Sequence, residues 1–303
     1  MDIILLFFIV AVSGLGAKAF SKLCSNILVH SSVAKYSLVL MVNSLVACIV
    51  FFSLSGLALS INETTFIYSA IYALVVAAVL ISNFVIYRYA NISNANILSR
   101  ASNMVCSVLL GVLFFSETID LTKLLRIALM LLAILFVFID QRNANVTIEK
   151  KTGPTRTRNI GFVLVMFAVT VSTCASTAVL KSFAMSEKTT DENSFFFFTN
   201  AILFVATFLI FLFACLKNKA EFRSSISLLS SKRLISIVGN TICSNATSIA
   251  SVYIVAKMDI STYSPISSAI GVIAGLAASL IFREKIGLFS YISVVIACIA
   301  VIV

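Results

Sequence analysis

Long apolar runs, each bounded by polar or charged residues, follow one another along the whole chain. The runs are continuous over about 18 residues or more, and they lack the alternating segments of about ten residues that membrane-spanning strands show. A helix needs about 20 apolar residues to cross the hydrocarbon core of a bilayer. The pattern therefore predicts an all-α polytopic membrane protein with ten transmembrane helices, at about residues 3–23, 34–59, 65–89, 93–116, 121–140, 160–184, 194–216, 234–256, 261–282 and 286–303.

The composition supports a membrane protein and excludes several other classes. Of the 303 residues, 60% are apolar and 11% are charged, and the mean hydropathy is +1.10. Soluble domains have about 25% charged residues, so this balance excludes secreted disulfide scaffolds, nucleic-acid binders and disordered chains. The seven cysteines show no metal-ligand spacing, and His30 is the one histidine. We therefore expect no enzyme activity, no metal and no cofactor.

The distribution of basic residues predicts an orientation. The 22 Lys and Arg residues outnumber the 12 acidic residues. Seventeen of them lie in or beside the connections that follow predicted helices 1, 3, 5, 7 and 9, and five lie elsewhere. Basic loops stay in the cytoplasm, so this count predicts that both termini are outside it. The expected location is the cell (inner) membrane.

Two basic loops divide the chain, and the first separates two halves. Residues 141–159 surround a Gly-Pro pair with five basic residues, and residues 217–233 carry five more. The predicted organisation is a first five-helix repeat at 1–140, a basic linker loop at 141–159 and a second five-helix repeat at 160–303. Both loops are interpreted as solvated cytoplasmic segments, with a lipid or partner site as the alternative.

The two halves share a weak internal repeat. The matches, in the same order in each half, are Val10–Ser13 with Lys22 against Val169–Ser172 with Lys181, Asn43 against Asn200, Asn91–Asn94 against Asp259–Thr262, and Glu117 against Glu284. Because each half has an odd number of helices, the second copy must be inverted relative to the first. The sequence thus predicts a 5+5 inverted repeat.

The chain also resembles a known family. Residues Tyr87 to Glu117 form an Asn/Ser-rich turn, a small-residue helix with Gly111 and a terminal Glu, and Tyr253 to Glu284 repeat this arrangement around Ser264-Pro265. This signature is similar to that of the drug/metabolite transporter (DMT) superfamily, in particular its ten-helix EamA-like branch. The resemblance implies a 5+5 inverted repeat around a central polar cavity. It also implies termini inside the cell, whereas the charge count predicts them outside.

Charged side chains inside the predicted spans are candidate substrate contacts, because such groups usually face a bundle interior or a cavity. Lys22 and Lys181 are equivalent in the two repeats, and they would attract an anionic substrate or else extend to the membrane surface. Arg100 and Asn103 share one helix face, where the guanidinium suits a carboxylate or phosphate. An interfacial lipid anchor is the alternative for Arg100.

Neutral polar residues complete the candidate site. Asn245 and Tyr263 are expected to contact the substrate, although amides in membrane helices often serve to bridge helices instead. No Asp or Glu lies in the middle of a predicted span, which argues against proton-coupled export of cationic drugs.

The sequence therefore favours a secondary transporter that moves a small polar metabolite across the membrane by alternating access. The expected partners are a small-molecule metabolite and membrane lipids, without nucleic acid, and a homo-oligomer is compatible with the sequence. The alternatives are a lipid-linked sugar flippase, a multidrug exporter and a non-transporting membrane scaffold.

Overall fold

The described part of the chain is almost entirely helical. The computed structural model describes residues 3–28, 33–60, 62–86, 103–104, 106–108, 110–116, 120–122, 124–133, 135–136, 139, 156–186, 191–217, 219–227, 230–281 and 287–302. These residues contain no strand, which confirms the all-α class. The helices are α1 Ile3–Leu28, α2 Val33–Leu54, α3 Glu63–Ile86, α4 Cys106–Phe115, α5 Leu124–Ala133, α6 Arg156–Met185, α7 Glu192–Lys217, α8 Lys219–Ile226, α9 Ser231–Lys257, α10 Ile260–Ile281 and α11 Leu288–Ile302.

Four helices contain segments that are long and apolar enough to cross a membrane. These segments are Ile3–Phe20, Val33–Leu54, Phe167–Met185 and Glu192–Lys217. The other apolar helices fit the remaining predicted segments, with boundaries that shift by a few residues at most ends. The predicted helices at 93–116 and 121–140 are described only in part, and most of the 141–159 linker lies outside the described residues.

One helix departs from the sequence expectation. The second basic loop, predicted at 217–233, contains the short helix α8. Phe222 and Ile226 within it are four residues apart, so both lie on one face of a helix. That pair gives α8 an apolar face, which an unstructured loop would lack.

Local polar contacts define several helix ends. Gly56, with a φ of 67°, ends α2 in the left-handed conformation that glycine adopts without strain. The Asn62 side chain accepts a hydrogen bond from the Thr64 amide at the start of α3. The Asp191 carboxylate accepts one from the Ser194 amide and so caps α7.

The helices pair mainly between the two halves of the chain. The most extensive contacts are those of α2 with α7, α1 with α9, and α3 with α6. The α1–α9 pair is close because glycine lies at the contact: a Cβ atom at Gly16 would meet the Cys243 sulfur at 2.8 Å, and one at Gly239 would meet the Phe20 ring at 2.8 Å. Small residues let helix backbones approach one another in this way.

An aromatic cluster lies towards one end of the bundle. It consists of Phe51, Tyr72, Phe183, Phe195 and Phe196. The rings of Phe183 and Phe195 stack with centroids 4.1 Å apart, and those of Phe51 and Phe196 stack at 4.9 Å. The cluster joins the end of α2, the start of α3, the end of α6 and the start of α7.

A pair of loops is hydrogen bonded beside the aromatic cluster. Ser60, in the α2–α3 connection, donates through its hydroxyl to the Asp191 carboxylate at 2.9 Å and through its amide to the Ser194 hydroxyl at 3.2 Å. We call this end of the bundle the Asp191 end and the opposite one the α8 end.

A second buried cluster lies at the Asp191 end as well. Leu6 and Val10 of α1 pack against Ile254 of α9 and Tyr263 of α10. Val252 of α9 packs against the aromatic cluster. Since Val252 and Ile254 belong to one turn of α9, the start of α1 and the end of α6 lie at the same level.

The outer surface of the bundle is apolar. Large hydrophobic side chains such as Phe8, Leu113, Phe167 and Phe213 are well exposed on α1, α4, α6 and α7. Soluble monomers rarely expose continuous apolar surface on this scale. The surface is therefore compatible with a lipid environment.

Candidate functional site

Polar side chains meet inside the bundle near the middle of the helices. The Ser13 hydroxyl of α1 lies 2.8 Å from the Thr247 hydroxyl of α9, and each hydroxyl also lies within hydrogen-bonding distance of a carbonyl four residues earlier in its own helix. The Thr241 hydroxyl donates to the Asn43 amide oxygen, so α9 is bridged to α2 as well. Hydrogen bonds of this kind between membrane helices are worth about 0.6 kcal/mol on average.

Asn103, a candidate substrate contact, lies at a similar depth between two other helices. Its side chain is buried in the helical turn before α4, and its amide oxygen accepts a hydrogen bond from the Cys174 thiol of α6 at 3.3 Å. The Asn103 amide thus bridges helices, which was the alternative to substrate binding. Arg100, its expected companion, lies outside the described residues.

Lys181 is the buried cation of the site. Its side chain is only 6% exposed, and its ammonium nitrogen lies 4.9 Å from the centroid of the Phe115 ring at the end of α4. A cation over an aromatic face is stabilised by the ring quadrupole, more strongly where water is excluded. The long lysine stem therefore does not extend to solvent at the Asp191 end, although Met185, one turn later, is exposed.

The two symmetry-related lysines lie at different depths. The helical rise of 1.5 Å per residue puts Lys22 about 28 Å along α1 from Ile3, whereas Lys181 is about 6 Å from the last residue of α6. The start of α1 and the end of α6 lie at the same level, so the backbones of the two lysines are about 20 Å apart along the bundle. The side chain of Lys22 lies outside the described part of the chain.

Asn245 offers an amide donor inside the bundle. The buried side-chain nitrogen of Asn245 has no hydrogen-bond partner among the residues that the structure describes. One helical turn before Asn245 on α9 lies Thr241, and one turn after it lies Ile249, which packs against the aromatic cluster. The face of α9 that carries Asn245 thus contacts α2 and α6, so its free donor is available to an acceptor in the interior.

Tyr263 is buried but already partnered. Its hydroxyl donates to the Ser251 hydroxyl of α9 at 2.7 Å, and its ring stacks with Phe7 at 6.4 Å. Tyr263 therefore joins α10 to α9 and α1 at the Asp191 end, beyond the level of Ser13 and Thr247.

The structure adds side chains that the sequence did not single out as site residues. Thr241, Thr247, Cys174 and Phe115 supply the partners of Asn43, Ser13, Asn103 and Lys181. Hydroxyl residues within the apolar run at 234–256 could have indicated Thr241 and Thr247. A search for charged and amide side chains alone does not find them.

The arrangement is suited to binding. Its described residues offer hydroxyl and amide groups and the buried ammonium group of Lys181. Among the residues that the structure describes, no group of three or more His, Cys, Asp or Glu side chains could hold a metal ion. What these groups can do is replace the hydration shell of a polar solute with hydrogen bonds and one positive charge.

Comparison with known proteins shows a fold and no family. No family model matches the chain, and no curated protein matches it. Chains of solved structures do match, 26 in number. One of them, a crystal structure of a protein, is 12% identical with a TM-score of 0.59, over 98% of this chain and 94% of its own. At this identity the likeness shows the fold alone, which extends over nearly the whole chain.

Proposed function

We propose that this chain is a multi-pass protein of the cell membrane and crosses the bilayer ten times. The support is the apolar outer surface, together with the four described helices whose length and composition suit a membrane span. The count of 17 basic residues against five places the α8 end in the cytoplasm and the Asp191 end outside.

The proposed architecture is a 5+5 inverted repeat of the drug/metabolite transporter superfamily, in its EamA-like branch. Under such a repeat α1 corresponds to α6, α2 to α7, and α3 to α9. The helix contacts are consistent with this exchange: the α1–α9 pair has its counterpart in α6–α3, the α3–α7 pair in α9–α2, and α2–α7 is its own counterpart. The sequence matches between the halves support the same correspondence.

The proposed activity is secondary transport of a small polar metabolite by alternating access. One observation carries the proposal: a buried lysine and a set of polar side chains face the interior of a bundle whose outside is apolar. Polar groups at membrane depth generally mark substrate pathways or helix contacts. A non-transporting scaffold would need the helix contacts but not a buried ammonium group.

The proposed substrate carries a negative charge. Lys181 supplies the positive charge. The Asn245 side chain supplies a neutral N–H group that would donate a hydrogen bond to a carboxylate or phosphate oxygen. Arg100 and Lys22 belong to the proposed pathway from their sequence positions. The proposed closure of the Asp191 end consists of the aromatic cluster and the hydrogen bond of Ser60 with Asp191, and the substrate would then reach the interior from the α8 end.

A thermal-shift screen tests the proposal. The purified protein in detergent is melted with amino acids, organic anions, nucleotides, sugars and cationic drugs, since a ligand that binds only the folded state raises the melting temperature. We expect an anionic class to raise it. The shift should disappear in Lys181→Gln and persist in Lys257→Gln, because Lys257 is an exposed lysine of the same end.

The screen has outcomes that contradict the proposal. Equal shifts in the two lysine variants would remove Lys181 from the substrate site. Stabilisation by cationic drugs alone would favour a multidrug exporter. A compound class that raises the melting temperature is then tested for uptake into proteoliposomes. Binding without uptake would indicate a receptor or scaffold and not a transporter.

A further inference from the structure

We propose that α8 and the exposed basic residues around it form a surface that binds the headgroups of anionic phospholipids. The surface, named here the α8 lipid surface, comprises Phe222, Arg223 and Ile226 of α8, together with Lys217 just before the helix and Arg233 just after it in the chain. The inference rests on the proposed insertion in a membrane. It adds a lipid partner at the α8 end, away from the interior site.

The helix α8 is anchored against the bundle, and its apolar side chains lie at the edge of the anchored side. It packs against α2 and α7, Ser225 is completely buried, and the Phe222 ring lies 6.2 Å from the Phe211 ring of α7. Nevertheless, Phe222 is 49% exposed and Ile226 is 44% exposed. A short helix lying in water would expose polar side chains, whereas this one presents an apolar edge.

The apolar edge of α8 continues the outer surface of α7. Phe213 and Leu216, in the last two turns of α7, are exposed to more than two thirds of their possible area. In a bilayer these side chains contact acyl chains just below the headgroups. Phe222 and Ile226 follow them in the chain, which places α8 at the boundary between acyl chains and headgroups.

Basic side chains occupy the same boundary. Lys217, Arg223 and Arg233 are all exposed. The segment 217–233 has five basic residues and one acidic residue, Glu221. A guanidinium group donates a fork of hydrogen bonds to a phosphate, and each basic residue near a leaflet with anionic lipids contributes about 1 kcal/mol of attraction. The charge of the surface therefore suits an anionic leaflet better than a neutral one.

A fluorescence experiment can detect the lipid directly, because the chain has no tryptophan. Phe222→Trp places a single reporter at the α8 lipid surface, and Leu209→Trp places another on the exposed side of α7 within the proposed span. Each protein is reconstituted in phosphatidylcholine vesicles in which about a third of the lipid is replaced by brominated phosphatidylglycerol or by brominated phosphatidylcholine, so that anionic and neutral quenchers are compared. Bromine on the acyl chains quenches the tryptophan on contact.

Next to Trp at position 222, we expect the anionic quencher to bind at least about fivefold more tightly than the neutral one. This ratio corresponds to about 1 kcal/mol, which is the attraction expected from a single basic residue near the lipid headgroups. The ratio should fall to about one when Lys217, Arg223 and Arg233 are all replaced by Gln, or at high salt. Lys257→Gln, at the Asp191 end, should leave the ratio unchanged. The Leu209→Trp reporter should be quenched equally by both lipids.

The outcomes separate this inference from the proposed function. Equal quenching of the 222 reporter by both lipids, or a ratio that survives the triple Gln variant, would show that α8 does not select anionic lipid. No quenching at position 222 with normal quenching at 209 would place α8 outside the bilayer, in water or under another protein. Absence of quenching at both positions would refute the membrane insertion itself.

Discussion

The ammonium nitrogen of Lys181 lies 4.9 Å from the centroid of the Phe115 ring, so a cation of the second half rests on an aromatic ring of the first half. The residue just before Phe115 in the chain, Phe114, points outward and is 73% exposed. Two neighbouring phenylalanines of one helix therefore have different surroundings, which makes them a matched pair for substitution.

We predict that Phe115→Leu destabilises the protein by about 1–2 kcal/mol, since it removes a desolvated cation–π contact and part of the packing around it. Phe115→Tyr keeps a ring face and should retain most of the stability. Phe114→Leu serves as the control and should change little. Melting temperatures in detergent measure all three, and equal losses for the two Leu variants would show that the contact with Lys181 contributes nothing.

The hydrogen bonds of Asp191 are predicted to hold the Asp191 end closed. Asp191→Ala removes the acceptor of the Ser60 hydroxyl and the cap of α7, which should lower the free energy of unfolding by about 1–2 kcal/mol. Because those bonds join loops of opposite halves, their loss should favour a state that is open at this end. Asp191→Asn keeps an acceptor oxygen and should have a smaller effect.

Labelling measures that opening. A cysteine at Tyr68, which packs against the aromatic cluster, should react faster with a membrane-impermeant maleimide when Asp191 is replaced by Ala. Asp120→Ala is the control, because the Asp120 carboxylate accepts hydrogen bonds within its own turn, from Leu121 and Thr122. If both alanine variants accelerate labelling equally, the loops do not act as a closure.

The close packing of α1 with α9 predicts a clash at Gly239. A Cβ atom there would lie 2.8 Å from ring carbons of Phe20. Gly239→Ala gains up to about 1 kcal/mol of helix propensity, whereas overpacking costs about 1–3 kcal/mol, so we expect net destabilisation.

A double-mutant cycle isolates this clash. Phe20→Leu removes the ring, so the loss caused by Gly239→Ala should shrink in that background. Gly14→Ala, where a Cβ would meet nothing within 4 Å, should not destabilise the protein. Strict additivity of the two substitutions would mean that the helices separate without cost at this point.

The basic residues predict the orientation of both ends. A cysteine at Asn62, in the α2–α3 connection, should react from outside the cell with an impermeant maleimide, and one at Arg223 should react only after permeabilisation. The native thiols make a suitable background, because the described cysteines are all buried or half-buried. The reverse pattern would place the termini in the cytoplasm and invalidate the charge count for this chain.

The sequence predicts the helices well because continuous apolar runs carry the information for them. It misses α8 because Phe222 and Ile226 occur in a segment whose net charge is typical of a solvated loop. Loop composition alone gives no information on whether such a segment packs against α2 and α7.

The partners inside the bundle are less accessible to sequence reasoning. Asn103, Lys181 and Tyr263 are buried in the bundle, while their role as substrate contacts stays a prediction. Their contacts with Cys174, Phe115 and Ser251 depend on the rotation of each helix about its axis, and a run that is apolar on all sides carries little information on that rotation. The different depths of the Lys22 and Lys181 backbones follow only from the arrangement of α1 and α6, which the sequence does not give.

The pairing of α1 with α9 also has a consequence for synthesis of the protein. The main partner of the first helix is encoded about 200 residues later, so at about 5–20 residues per second a ribosome needs about 10–40 s to deliver it. Under the proposed insertion, Ser13 and Gly16 would face lipid or another protein during that time, without the α9 residues that cover them in the finished fold. If the chain is inserted as proposed, its first half therefore stays incomplete until α9 is made, and truncation before residue 231 should leave it a substrate for membrane proteases.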